Sequence, residues 1–277
     1  MGNNKIVQEF AGRSQREAVR INKFLSEAGI CSRREADRMV AAGQVKVDGK
    51  RAELGTKVGP DQEVRIGRRI IQEKPKLIVL AVNKPAGIVC TEERRERKSI
   101  IRFLNYPARI TYVGRLDKDS EGLLLMTNNG DIINKMMRAG NYHEKEYKVT
   151  VDKEITSEFL EAMCSGVPIL DTVTRPCRLE PIGKYTFRII LTQGLNRQIR
   201  RMCEVLGYQV KSLRRIRIMN IELGDLKSGG YRELTDRELN ELYDLIKSSS
   251  NETIIDGENN RDGSKKKTDA RVGRPAQ

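Results

Sequence analysis

A chain of 277 residues with 52 Lys and Arg against 38 Asp and Glu carries a formal net charge of +14, a field that draws polyanions, nucleic acid ahead of an anionic membrane. No run nears the roughly 20 apolar residues that cross a bilayer, and Met1–Phe10 is too polar for a signal peptide, so a soluble, cytoplasmic protein is expected. One histidine, five scattered cysteines without a Cys-x-x-Cys pair and no Gly-rich phosphate loop count against zinc, Ser-His-Asp chemistry and nucleotide cofactors. No metal and no cofactor are expected, and the thiols read as reduced and packed.

Residues 1–16 are polar and aperiodic and read as a loose leader. Ile21, Phe24, Leu25 and Ala28 then recur at helical spacing up to Gly29, a helix stop. Ser32-Arg33-Arg34-Glu35 is a capping-box pattern that predicts a second helix to about Ala42, ended by Gly43. Val45-Lys46-Val47-Asp48-Gly49-Lys50 alternates into an Asp-Gly turn, a hairpin signal, and Val64 and Ile66 predict a further strand. These elements make a compact module over 17–67. Its Arg33, Arg34, Arg38, Lys46, Lys50 and Arg51 gather at a helix start and a loop tip, where they can grip a phosphate backbone. A solvated basic face would look the same. Arg33, Arg34 and Lys46 are the expected RNA contacts.

Residues 68–76 read as a linker, and a larger domain follows over 77–248. Strands are predicted at Leu77–Asn83, Leu123–Thr127, Glu146–Val151 and Tyr185–Thr192, the last with Tyr185, Phe187, Ile189 and Leu191 on one face. Helices are predicted at Asp131–Arg138, Ser157–Ser165, Asn196–Leu206 and Asp236–Lys247. Strands and helices mixed without a regular βαβ rhythm predict an α+β fold with a mixed, largely antiparallel sheet. Residues 249–277, with Lys265-Lys266-Lys267, read as a disordered tail containing a basic run.

Three segments of the larger domain are candidates for chemistry. Val82-Asn83-Lys84-Pro85-Ala86-Gly87 ends a strand in a turn that Pro and Gly favour, which alone says little. Val113 to Leu123 packs Asp117, Asp119 and Glu121 among Arg115 and Lys118. A carboxylate among cations stays ionised, as a carboxylate nucleophile must. A polar loop with local ion pairs explains the same residues, and on chemistry alone the three acids are equal candidates. In Gln193 to Met202, helical spacing sends Ile199, Met202, Cys203 and Leu206 to the core and aligns Arg197, Arg200 and Arg201 on the other side, near a helix start that favours anions.

The N-terminal pattern Val19 to Leu25, Cys31 to Ala36 and Val45 to Gly49 resembles the alpha-L (S4-like) RNA-binding module. The later segments, in their order, resemble the pseudouridine synthases, and more closely the branch acting on single sites in bacterial ribosomal RNA. Gly114-Arg115-Leu116-Asp117 is similar to the catalytic motif, Lys145-Glu146-Tyr147 to the tyrosine motif and Gly194 to Met202 to the third motif. Arg138 to Tyr147 and the Arg200-Arg201 pair look most like the F-type enzymes of the large subunit.

The resemblance implies a cofactor-free isomerisation in which uracil is detached, rotated and rejoined through carbon. Asp117 would be the nucleophile, attacking the anomeric carbon or the uracil ring. Arg200 would pair with Asp117, and Tyr147 would stack on the base and assist proton removal. Arg115 would fill the gap left by the flipped uridine, Ile199 would form a wall against the base, and Arg197 would contact RNA. The implied partner is large-subunit ribosomal RNA, with transfer RNA as a further candidate and no membrane. A structural or RNA-contact role is expected of His143 rather than catalysis. The competing readings are a non-enzymatic RNA-binding or ribosome-assembly factor, which the basic module alone would support, and a synthase of the same branch acting on another ribosomal site.

Overall fold

The computed structural model describes residues 18–71, 75–93, 95–137, 142–247 and 249. The leader over 1–16, the tail beyond Ser249, residues 72–74 of the expected linker and Arg138–Asn141 of the F-type signature lie outside the described residues.

The N-terminal module contains β1 (Val19–Arg20), α1 (Ile21–Glu27), α2 (Arg33–Ala41), β2 (Val45–Val47), β3 (Lys50–Arg51), β4 (Lys57–Val58), β5 (Val64–Ile66) and β6 (Arg69–Ile71). The helical spacing of Ile21, Phe24, Leu25 and Ala28 has its expected effect: Ile21 and Leu25 enter one core with Ala36, Val40, Val45 and Val64, and Phe24 and Ala28 pack against it. Ser32 caps α2 by accepting from the Glu35 backbone N–H at 3.2 Å. The Glu35 carboxylate does not turn back as a capping box would have it, but accepts from Arg38 at 3.3 Å. Asp48 and Gly49 both take positive φ (48° and 78°), as a tight hairpin turn requires. The sheet order is β3-β2-β5-β6. Strand β6 therefore carries the module to Ile71, four residues into the stretch expected as linker.

The larger domain follows as β7 (Val79–Lys84), α3 (Ile100–Leu104), β8 (Thr111–Val113), β9 (Glu121–Thr127), α4 (Gly130–Met137), β10 (Lys145–Val151) and α5 (Ser157–Ser165). Then come β11 (Pro168–Ile169), β12 (Thr172–Val173), β13 (Arg178–Gly183), β14 (Thr186–Leu191), α6 (Gln198–Val205), β15 (Val210–Ile218), β16 (Ile221–Glu222), β17 (Tyr231–Glu233) and α7 (Asp236–Lys247). A nine-stranded sheet has the central order β13-β14-β10-β15-β9-β7-β17. All its pairings are antiparallel except β15 with β9.

Side chains alternate across a strand, and β7 and β9 read as unbroken apolar runs because both their faces are covered. Val79, Ala81, Leu123 and Leu125 pack with Leu242, Tyr243 and Ile246 of α7. Leu80, Val82, Leu124 and Met126 pack on the other side with Ile100 of α3. Further along the sheet, Phe187, Ile189 and Leu191 join Phe159 and Met163 of α5 and Ile199, Met202 and Cys203 of α6. Tyr185, expected on that same face, instead stands 44% exposed just ahead of β14.

Candidate active site

Strand β9 changes partner along one edge. Its start, Glu121 and Gly122, pairs with Arg214 and Arg215 of β15, while its end, Leu125 to Thr127, pairs with β8. The sheet forks there, and the Gly114–Ser120 loop leaves the fork. Gly122 makes the approach possible, because a Cβ on it would lie 2.2 Å from the Arg215 carbonyl oxygen and its φ is +101°. A cavity of about 320 Å³ opens at this point, within the ~300–1,000 Å³ usual for small-molecule sites. Its lining includes Arg115, Asp117, Tyr147, Arg197 and Ile199. Segments 30 to 80 residues apart in the chain, each singled out by its sequence, meet in one wall.

The Asp117 loop is held from two sides. Gly87 donates its backbone N–H to the Lys118 carbonyl at 2.6 Å, so the Lys-Pro-Ala-Gly turn, weak evidence as sequence, braces the loop. Lys84 keeps that turn closed: fully buried, its ammonium donates to the carbonyls of Pro85 at 2.9 Å and Ile88 at 2.8 Å. Burial pulls the Lys84 pKa below the ordinary lysine value, with nearby acids opposing.

From the other side come the arginines of α6. Arg200 does not pair with Asp117, contrary to expectation. Its NH2 donates to the Asp119 backbone carbonyl at 3.1 Å and to Ser120 Oγ at 3.4 Å, and lies 3.7 Å from the Asp119 carboxylate. The cation nearest Asp117 is Arg197, with NH1 3.8 Å from Oδ2. The helix begins two residues later than predicted, at Gln198, because Arg197 takes a left-handed backbone (φ 51°) and swings its guanidinium to the loop. There it also donates to Asp119 at 3.3 Å. Burial pushes the Asp119 carboxyl up, but the Arg197 hydrogen bond and the two guanidinium charges outweigh it and hold it below the usual range. Asp117 remains half-buried, with its side chain 34% exposed.

Tyr147 and Ile199 face the cavity from β10 and α6. Strand β10 is clamped from its other face by Arg217, which donates to Glu146 at 2.8 Å and Glu144 at 3.0 Å. His143 is 8% exposed and its Nε2 lies 3.1 Å from the Lys135 carbonyl and 3.1 Å from Ser249 Oγ. Burial lowers its pKa, and these contacts tie the start of β10 to α4. Arg33, Arg34 and Lys46 are exposed on the N-terminal module and outside the cavity lining. The module meets the larger domain at the start of α4, where Lys23 lies 3.4 Å from Asp131.

Gln198, Lys145 and Arg215 are among the lining residues given no role by the sequence. Gln198 is buried and accepts from the Leu195 backbone N–H at 3.0 Å, shaping the α6 start. Lys145 stood within the tyrosine motif but drew no role of its own. Arg215 sits in a strand whose basic alternation reads as surface; no signal marked it. Among the described residues no group of three or more His, Cys, Asp and Glu side chains could hold a metal, and no helix is long and apolar enough to cross a membrane.

Comparison with known proteins agrees with this architecture. Residues 78–205 match the RNA pseudouridylate synthase family model and residues 19–64 the S4 domain model. The chain is 54% identical over 237 residues to the dual-specificity RNA pseudouridine synthase RluF of Escherichia coli strain K12, covering 85% of this chain and 82% of that protein. It is 35% identical over 242 residues to the ribosomal large subunit pseudouridine synthase B of Bacillus subtilis strain 168, covering 84% and 98%. A crystal structure of a pseudouridylate synthase superposes with a TM-score of 0.60 at 27% identity, covering 81% of this chain and all of that one.

Proposed function

The chain belongs to the RNA pseudouridine synthases, in the branch with an N-terminal S4 module, and from that premise we propose that it isomerises a uridine of large-subunit ribosomal RNA with Asp117 as nucleophile. The large-subunit target rests on the relatives' names, one ribosomal and one dual-specificity; transfer RNA is the second substrate class proposed. Membership of an enzyme family sets aside the reading as a purely binding factor.

The observation that carries the proposal is the meeting of Asp117, Tyr147 and Ile199 in one cavity. In an RNA duplex the reacting atoms are stacked out of reach, so the target must flip out, at a cost of about a few kcal/mol. Arg115, exposed at the cavity rim, occupies the vacated position in the RNA. The flipped uracil lies between the Tyr147 ring and the Ile199 side chain, with Asp117 against the nucleotide. Asp117 attacks at the anomeric carbon or at the ring, the base turns, and Tyr147 assists loss of the proton from the newly bonded carbon. Arg197 supplies the cation nearest the nucleophile and meets the RNA backbone. Arg200 is a positioning residue that fixes the loop through Asp119 and Ser120, instead of pairing with Asp117. Arg33, Arg34 and Lys46 hold phosphates further along the RNA.

The test is Asp117→Asn, which keeps shape and removes the nucleophile. We expect RNA binding to persist and pseudouridine formation in a large-subunit RNA transcript to vanish. Turnover at the wild-type rate in this variant overturns the assignment.

A further inference from the structure

Arg215 lies opposite Tyr147 of β10 and opposite Gly122 of β9. Residues paired across strands share a face, and Arg215 and Tyr147 both line the cavity, as does Lys145 two residues earlier on β10. A β-bulge between Glu146 and Tyr147 adjusts this register, a device common beside active sites. Arg215 is only 3% exposed. Its Nε donates to the Leu123 carbonyl at 2.7 Å, where β9 is between partners, but its NH2 is enclosed without any hydrogen-bond partner. A buried polar group left unpaired costs about 1–3 kcal/mol, more when charged. The fork keeps it there, since Gly122 lets the Arg215 backbone pack where no side chain fits. Lys145 donates to the His143 carbonyl at 3.2 Å. Among the described residues neither cation has a carboxylate within ion-pair distance. Two such cations in one wall form a site for negative charge.

We propose that Arg215 and Lys145 hold the carbonyl edge of the target uracil and the negative charge its ring carries during the reaction. The proposal rests on reading the cavity as a uridine-isomerising site. Both routes of attack create that charge. If Asp117 adds to the ring, the C5–C6 electron pair moves onto the O4 carbonyl. If it attacks the anomeric carbon, the C1′–N1 pair leaves with the ring and spreads over N1, O2 and O4. On the ring route the C1′–N1 bond then breaks as well. On either route the ring turns and C5 bonds to C1′, the carboxylate leaving C1′ as that bond forms or leaving C6 as C5 gives up its proton. C5 loses one proton while N1 gains one. The product is an isomer and nothing else is consumed. A buried guanidinium N–H at a carbonyl oxygen stabilises such charge as an oxyanion-hole donor does, and losing one such donor costs about 10²–10³ in turnover.

Burial, and then the charge of Arg215, pulls the Lys145 ammonium down to about 8. The other charged or titratable groups around the cavity are Arg115, Asp117, Arg197, His143 and Tyr147; His143 is held below its ordinary value and titrates on the acid side. Lys145 is cationic below about 8 and neutral above it, so turnover falls as pH rises through that value.

The experiment measures single-turnover pseudouridine formation and RNA affinity for wild type, Arg215→Met, Arg215→Lys and Lys145→Arg, from neutral to alkaline pH. The RNAs carry uridine, 2-thiouridine or 4-thiouridine at the target, sulfur being a poor acceptor. We expect Arg215→Met to slow turnover about 100-fold with Kd changed less than about threefold. Arg215→Lys restores part of the rate. One thio substitution slows wild type but adds little in Arg215→Met, and Lys145→Arg removes the alkaline fall. Arg215→Met turning over at nearly the wild-type rate, or thio penalties equal in both proteins, overturns the proposal. So does an alkaline fall unchanged in Lys145→Arg. If Arg215→Met does not fold, the thio penalty of Arg215→Lys and the Lys145→Arg pH profile decide. Absence of pseudouridine even with wild type sinks the uridine-isomerising reading itself; wild-type turnover that ignores Arg215 sinks only this inference.

Discussion

In the N-terminal module Arg33, Arg34 and Lys46 stand exposed on a helix start and a hairpin strand, as Arg115 and Arg197 do at the cavity, whereas Arg200 and Arg215 are largely buried and hold backbone carbonyls. The Arg200 side chain is 14% exposed and its NH2 holds the Asp119 carbonyl and the Ser120 hydroxyl; Arg215 is 3% exposed on the Leu123 carbonyl. An exposed cation acts over the roughly 8–10 Å reach that salt allows and adds to affinity with little demand on geometry. A buried one acts at contact distance and fixes where atoms sit. One basic composition thus serves two ends, and burial decides which.

Substitutions can break this contrast, and Gly122→Ala should do most. Its Cβ would meet the Arg215 carbonyl oxygen at 2.2 Å on a backbone at φ +101°. Strain at positive φ plus overpacking of backbone predicts about 3–4 kcal/mol of lost unfolding free energy, measured by urea denaturation, together with loss of turnover. Full stability in this variant would mean that the β9–β15 approach is not the closure described. Next, Arg200→Ala should lower turnover about 100-fold by releasing the Asp117 loop while RNA affinity at fixed salt changes little. If Kd weakens as much as kcat falls, Arg200 belongs with the exposed cations instead.

The contrast is visible in the sequence only on one side. The exposed module follows local rules: the Ser32 cap, the Asp48-Gly49 turn and the helical spacing of Ile21, Phe24, Leu25 and Ala28 each had its expected effect. The apolar strands β7 and β9 and the helices at Ser157–Ser165 and Asp236–Lys247 were legible for the same reason. Motif order singled out Asp117, Tyr147 and Ile199, which line one cavity. Strand β15 was not, because Lys211, Arg214, Arg215 and Arg217 make it read as solvated. Two of those cations are spent inside, on Leu123 and on the Glu144–Glu146 pair. Arg200 was placed on the right helix and given the wrong partner. Spacing along α6 orients the side chain but says nothing of which atom of a distant loop it meets, and the left-handed Arg197 fills the position nearest Asp117.

Smaller effects sharpen the comparison from the exposed side. Replacing both Arg33 and Arg34 by Ala should weaken RNA binding and flatten the dependence of log K on log salt by about one unit for each phosphate no longer gripped, with single-turnover chemistry at saturating RNA unchanged. A steep salt slope that persists would place the phosphate grip elsewhere. The smallest effect is expected of Ser32→Ala, which removes the 3.2 Å cap on α2 and should cost about 1 kcal/mol of module stability, read as a lower thermal midpoint with turnover intact at low temperature.

The fork in the sheet also has a consequence in time. The pairing of Gly122 with Arg215 joins positions 93 residues apart in the chain, and pairings of such separation form late because chain entropy must be lost before they return anything. The cavity is complete only when that pairing closes. During refolding, helical signal from α5 and α7 should therefore return before activity does, and the enzyme's competence should track the slowest phase of its own folding.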